Sequence, residues 1–460
     1  MSEKIANIKD ELAFKRKNVY HSLTDDQKRE MTIFSEKYKS FLDKSKTERE
    51  SVKNAVNLAE ENGFKKYNFG DELVAGGKYY YNNRGKSIFL FVIGFKNLEE
   101  GINISIAHID SPKLDLKQHP LYDAGNMAFF KTHYYGGIKK YQWTAIPLAI
   151  HGKIVKSDLS EVEICIGEDE SDPVFYINDL LPHLAKDLHS QSLGEGISGE
   201  RLNVLIGSEP FSPEGEIKLN VLKILNEKYG IKEFDFVSSE LSAVPAFKSR
   251  DIGFDRSLIG GYGHDDRVCA FPALMSIIEA ESPENTLMVV LADKEETGSG
   301  GSTGMQSNVF SDLIYEISDA FKSNPRKVIA NSKCLSADVN ACFDPNFSEV
   351  YEGLNSCYLN EGVVMTKYTG SRGKSGTSDA SAEFVGYVRK LFDDNGVVWQ
   401  TGELGKVDQG GGGTVAIFVA NKNIDVVDLG VPVISMHSPY EIISKADLYM
   451  TYKAFKAFNK

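Results

Sequence analysis

Several histidines and acidic residues of this chain fall immediately after short apolar runs, where a β-strand would end. The alternating run 102–107 stops at His108-Ile109-Asp110, and the run 286–292 stops at Asp293-Lys294-Glu295-Glu296. Side chains two apart on an extended segment point to the same side, so His108 can face a cation while Asp110 lies close enough to orient its ring. Adjacent carboxylates diverge. One of Glu295 and Glu296 can therefore bind metal while the other accepts a proton from a water that the cation has acidified. Asp265-Asp266 precede an apolar helical stretch, where either could instead cap the helix. Asp338 follows Ser336-Ala337, and His437 follows the run 431–436. Two histidines and three of these carboxylates make a donor set suited to zinc, with no cysteine competing for the role. If Asp265 bridges, His108 and Asp338 complete one ion while Glu296 and His437 complete the other. Each ion then keeps the open position of a catalytic site. Asp266 stands as the alternative bridge.

Donors taken from several strand ends must be held at the carboxyl edge of one sheet, where open α/β sheets bind their ligands. The hydrophobic pattern predicts such a sheet. β-type runs at 88–93, 102–106, 287–291, 415–419 and 431–436 are separated by helical stretches such as 268–280, which implies an α/β sheet covered on both faces. The first 64 residues read as helices, because Met31, Phe34, Tyr38 and Phe41 recur at helical spacing amid Lys and Glu. Residues 119–250 have a different texture, with many Tyr and Phe and strand-like runs at 146–150, 162–166 and 234–237. They are expected to form an inserted β-rich domain, leaving a discontinuous catalytic domain made from 1–118 and 251–460. The Gly-rich stretches 298–304 and 410–413 match no phosphate-binding loop.

Composition sets outer bounds. A chain of 460 residues exceeds one ordinary core and suggests two or three domains. The formal charge of −13 argues against nucleic acid as a partner, since that partner calls for basic surface. The five cysteines are odd in number and never spaced as CxxC, so a disulfide framework and a thiolate zinc site are both unexpected. No run approaches the roughly 18 apolar residues of a membrane span, and the charged N-terminal region lacks a signal peptide. A cytoplasmic location with no membrane partner is expected.

The motifs His108-Ile109-Asp110-Ser111-Pro112, Ile146-Pro147-Leu148-Ala149-Ile150-His151, Asp265-Asp266, Glu295-Glu296-Thr297-Gly298-Ser299, Ser336-Ala337-Asp338 and Met436-His437-Ser438 occur in one order along most of the chain. Together they resemble the aspartyl aminopeptidase and aminopeptidase I family of zinc peptidases. The resemblance implies an α/β zinc-peptidase domain with a mixed central sheet flanked by helices, plus an inserted β-rich dimerisation domain. It implies release of the N-terminal amino acid from short peptides with a free N-terminus, and two Zn2+ per subunit, with Co2+ or Mn2+ as substitutes. The implied ligands are His108, Asp265, Glu296, Asp338 and His437, with Glu295 as general base and Asp110 as partner of His108. It further implies that dimers assemble into a tetrahedral dodecamer, in which His151 would reach a neighbouring subunit's site and polarise the scissile carbonyl. Within an alternating strand, a structural role for His151 is an equal expectation.

Two departures from the family pattern stand out. The stretch 339–346 after Asp338 lacks the family's usual histidine, and Asp266 replaces a frequent Asn. They suggest a bacterial-type branch and leave substrate preference open. Lys367, Arg372 and Lys374 are candidates for a basic pocket that would take an acidic N-terminal residue, or else are solvated loop charges. The competing functions are a related dizinc deacylase or glutamyl aminopeptidase, and a non-catalytic assembly or cargo scaffold.

Overall fold

The structure is a computed structural model that describes Ile8, residues 11–213 and residues 215–460. The rest of the expected N-terminal helical segment lies outside the described residues. A nine-stranded mixed sheet organises the molecule, and its middle is parallel. Thr286–Ala292, Ile102–His108, Lys333–Ala337 and Asp425–Gly430 run side by side in one direction. Antiparallel neighbours, Ser87–Val92 on one side and Val363–Thr366 on the other, flank this set. Strands buried on both faces favour apolar or small residues, and every residue of Ile102–His108 and Thr286–Ala292 is buried, Asn103 and Ser105 included. Alternation then divides their side chains. Leu287, Val289 and Leu291 join the core under the helices Asp25–Asp43, Ala270–Ile278 and Lys445–Phe458, while Met288, Val290 and Ala292 join the core under Val309–Ala320.

A seven-stranded sheet occupies residues 113–245 with its own core around Trp143, Leu148, Val204 and Phe236. Its long strand Lys113–Ala124 crosses residue 118, where the catalytic segment was expected to end. A third sheet, of five strands, pairs Leu258–Gly261 with Glu441–Ser444 and so joins the middle of the chain to its last elements.

The N-terminal helices appear as Asp25–Asp43 and Glu48–Glu61, each started by a capping box, Thr24 with Gln27 and Thr47 with Glu50. Two expected strands are not strands. Residues 415–419 enter the short helix Ala416–Ala420, and residues 234–237 lie in the 3-10 helix Glu233–Ser238. Apolar runs this short satisfy a buried helical turn as well as a strand, and packing decides between them. The run 431–436 does contain a strand, Pro432–Ile434, but in the five-stranded sheet. Among the described residues, no helix is long and apolar enough to cross a membrane.

Candidate active site

The parallel strands bring their carboxyl ends to one edge, and the register there is tight: Ala292 pairs with His108, and Ala337 with Ala107. His108 thus ends its strand beside the segments that carry Glu295-Glu296 and Asp338. Glu295 and Glu296 sit on the 3-10 turn Glu295–Thr297, entered through Lys294 in the left-handed region at φ 68°. Asp265 and Asp266 lie inside the short helix His264–Arg267 rather than capping it. The cap is Gly263 at φ 79°, where an added Cβ would lie 1.6 Å from an Arg267 nitrogen. His437 occupies the turn between Pro432–Ile434 and Glu441–Ser444, with Ser435 at φ 62° and His437 at φ 63°. Non-glycine residues in this conformation cost roughly 1–2 kcal/mol each, so the turn needs outside support.

Two groups of ligand-type side chains result, and they share Asp265. One atom each from His108, Asp265 and Asp338 lie within 4.8 Å of one another, as do atoms from Asp265, Glu296 and His437. His108 Nε2 is 3.3 Å from Asp338 Oδ1, and His437 Nε2 is 3.0 Å from Asp265 Oδ2 and 3.4 Å from Glu296 Oε1. Asp266, the alternative bridge, faces His108 Nδ1 at 3.7 Å and Arg267 at 3.6 Å.

Asp110 differs from its expected role. Its carboxylate is 3.7 Å from His108 Nδ1, too far for a hydrogen bond, while its backbone carbonyl approaches that nitrogen to 3.3 Å. The carboxylate accepts instead from the backbone N–H groups of Glu295 at 3.0 Å and Glu296 at 3.2 Å, and from the Tyr135 hydroxyl at 2.7 Å. Asp110 therefore fixes the turn that presents both glutamates.

Three supports were not foreseen from the sequence. Buried Glu441 accepts from the N–H of Asp265 at 3.1 Å through one oxygen and from the N–H of His437 at 2.7 Å through the other. The Gly137 carbonyl accepts from His437 Nδ1 at 2.7 Å, which leaves Nε2 facing the carboxylates. Tyr135 ends the seven-stranded sheet's strand Met127–Tyr135 and Gly137 lies two residues on, so the end of that strand braces the candidate site. A regular alternation in the sequence carries no trace of such contacts.

Carboxylates outnumber cationic groups here, and the titration behaviour records it. Burial, reinforced by Asp338, Asp265 and Asp110, pushes Glu295 up to about 8. Burial, reinforced by Asp265 and Asp266, pushes Glu296 up to about 10. Burial opposes the charged form of His437, yet Asp265 and Glu296 raise it to about 11. Glu296 Oε1 is buried without a hydrogen bond. Nitrogen and oxygen donors, uncompensated negative charge and an unpartnered buried oxygen together fit divalent cations of the zinc type.

A cavity of about 300 Å³ opens over these groups, lined by Asp265, Glu295, Asp338 and His437 at its base. Arg372, Lys374, Tyr368 and Glu403 form its wall. Lys374 is paired with Asp379 at 3.0 Å and lies over the Tyr368 ring at 3.7 Å, whereas Arg372 has no acidic partner among the described residues. Lys367, expected in the same pocket, instead pairs with Asp379 at 2.6 Å and is absent from the lining. His151 is not brought to this site. It is buried, with Nδ1 2.7 Å from Glu50 and Nε2 3.1 Å from Glu168, so both ring nitrogens are engaged within its own chain.

Comparison with known proteins gives a consistent neighbourhood. Residues 41–459 match the family model described as aminopeptidase I zinc metalloprotease (M18). A probable M18 family aminopeptidase 1 of Clostridium acetobutylicum is 48% identical, over 96% of this chain and 97% of that protein. The crystal structure of an M18-family aminopeptidase from Thermotoga maritima superposes with a TM-score of 0.93 at 45% identity, covering 97% of this chain and 99% of the other. A structure described as the S. cerevisiae mApe1 dodecamer shares the fold, at TM-score 0.76 and 23% identity over 94% of this chain and 97% of that one.

Proposed function

Because the chain belongs to the aminopeptidase I zinc metalloprotease family and is a zinc aminopeptidase, we propose that it holds two zinc ions through His108, Asp338, Glu296, His437 and a shared Asp265. The observation that supports this reading is the pair of ligand groups meeting at Asp265. Zinc bound there supplies Lewis acidity, which lowers the pKa of a water and polarises the scissile carbonyl.

The remaining work falls to the chain's own groups. Glu295 lines the cavity while its neighbour Glu296 belongs to a ligand group, so Glu295 is the base that takes the proton from the attacking water and returns it to the leaving amine. Asp110 holds the Glu295 and Glu296 amides, and Glu441 holds those of Asp265 and His437, so donors from distant parts of the sequence stay in register. The substrate's free amino end enters the cavity, and Arg372 meets the side chain of its first residue. Short peptides fit a space of this size.

The seven-stranded sheet is proposed as a dimerisation unit within a dodecamer. Exposed Leu159, Leu184, Leu193 and Phe234 in this segment support an interface role. The decisive experiment for the chemistry is Glu295→Gln. We expect the variant to keep its zinc while turnover of an aminoacyl anilide falls by about 10²- to 10⁴-fold, the usual weight of a positioned acid-base group. A zinc-replete variant with full turnover would remove Glu295 from this role.

A further inference from the structure

Away from the strand ends, a second set of ligand-type side chains gathers where the N-terminal helices meet the seven-stranded sheet. His151 and Cys165 are direct partners on the antiparallel strands Leu148–Val155 and Glu161–Ile166, so their side chains leave the same face as close neighbours. Helix Glu48–Glu61 lays Glu50 against that face. The capping box fixes the Glu50 carboxylate, since Oε2 accepts from the Thr47 N–H at 3.0 Å and the Thr47 hydroxyl at 3.2 Å. Oε1 is thereby left pointing at His151 Nδ1, 2.7 Å away.

We propose that Glu50, His151 and Cys165 form a further cation site, taking one ion of the zinc class and separate from the pair at the strand ends. One ligand atom from each of the three lies within 4.8 Å of the others. Imidazole, thiolate and carboxylate are all donors that zinc accepts, and the thiolate favours it over calcium or magnesium. Glu168, 3.1 Å from His151 Nε2, would accept that nitrogen's proton and orient the ring, the arrangement that metal-bound histidines usually show. Glu168 is itself steadied by Lys46 at 2.5 Å and Lys248 at 2.6 Å, so it is committed to orienting rather than to ligating. Glu50 and Cys165 line a solvent cleft, and Cys165 is exposed, which gives an entry path and room for a water as fourth ligand. On binding, the Cys165 thiol proton and the proton shared by His151 and Glu50 leave to solvent. The bound ion would tie the helix to two strands of the sheet.

The site is distinguishable from the catalytic one because none of the candidate ligands at the strand ends is a thiol. Full-length protein exchanged into Co2+ is expected to show a near-ultraviolet thiolate-to-cobalt charge-transfer band. That band should vanish in Cys165→Ser, which changes only an exposed side chain, while the visible cobalt bands of the remaining ions and the anilidase activity persist. Absence of the band from the unsubstituted protein, or its survival in Cys165→Ser, would overturn the proposal. Neither result depends on whether the strand-end groups hold two ions.

Discussion

Glu441 shows how much of a candidate metal centre can rest on a residue outside the ligand groups. Its two oxygens accept the amides of Asp265 and His437, and His437 sits in a left-handed conformation that needs such a hold. In Glu441→Gln only one of those acceptors remains, and the new NH2 group opposes an N–H. Zinc affinity measured by chelator competition should fall about 10- to 100-fold, the usual effect of losing a residue that orients ligands. Unchanged affinity would mean the turn holds itself. Gly136 tests crowding at the same place: an added Cβ would lie 2.8 Å from Glu296 Oε2, at a backbone φ of 73°. Gly136→Ala is expected to displace Glu296 and lower metal content, read by elemental analysis of the folded variant. Arg372 is the wall's uncompensated cation. Its replacement by Ala should reduce kcat/KM for Asp- or Glu-anilide, relative to Leu-anilide, by on the order of tenfold to a hundredfold, the range for a hydrogen bond to a charged group. Equal losses on all three substrates would place Arg372 outside first-residue recognition.

At the scale of elements, the helix Glu48–Glu61 is pinned to the strand Lys113–Ala124 by a buried pair, Glu48 with Lys113 at 2.5 Å. Burial disfavours the Glu48 carboxylate, but Lys113 and Lys86 outweigh it and hold its pKa down to about 2. The folded value lies below the ordinary one near 4.5, so the unfolded chain binds more protons between these limits. The stabilisation is full above pH 4.5 and is lost as pH falls toward 2. Thermal unfolding followed across that window should show an acid-induced decline that Glu48→Gln flattens, and parallel curves for the two proteins would refute the assignment. The strands that carry the candidate site were legible because the regular alternation of 102–107 and the unbroken apolar run 287–292 both mark buried strands, so the ionisable residues that follow them, His108 and the segment 293–296, stand out. The groups that brace the site were hidden. Glu441 reads like any polar residue at the start of a strand, and Gly137 acts through a carbonyl that every residue possesses. Residues 415–419 misled for the opposite reason, since five apolar residues suit a helical turn as well as a strand. Asp110 was found by spacing, yet its carboxylate serves the Glu295 turn, a contact with a segment 185 positions away.

For the whole molecule, metal removal is the broadest test. Dialysis against a chelator should abolish anilide hydrolysis and zinc should restore it, while far-ultraviolet circular dichroism changes little, because apolar cores pack both faces of the nine-stranded sheet and another packs the seven-stranded sheet. Light scattering should report a particle of twelve chains. A monodisperse monomer at working concentration would count against the dodecamer and against the seven-stranded sheet as an interface. The candidate site also draws on widely separated parts of the folded chain: His108 enters early, and His437 with its brace Glu441 comes 329 and 333 positions later. While a nascent chain is still threaded through the ribosome, its tail is sequestered in the exit tunnel. A copy whose His437 has not yet emerged therefore lacks one of the proposed zinc ligands, and by that proposal it cannot trim the peptides around it.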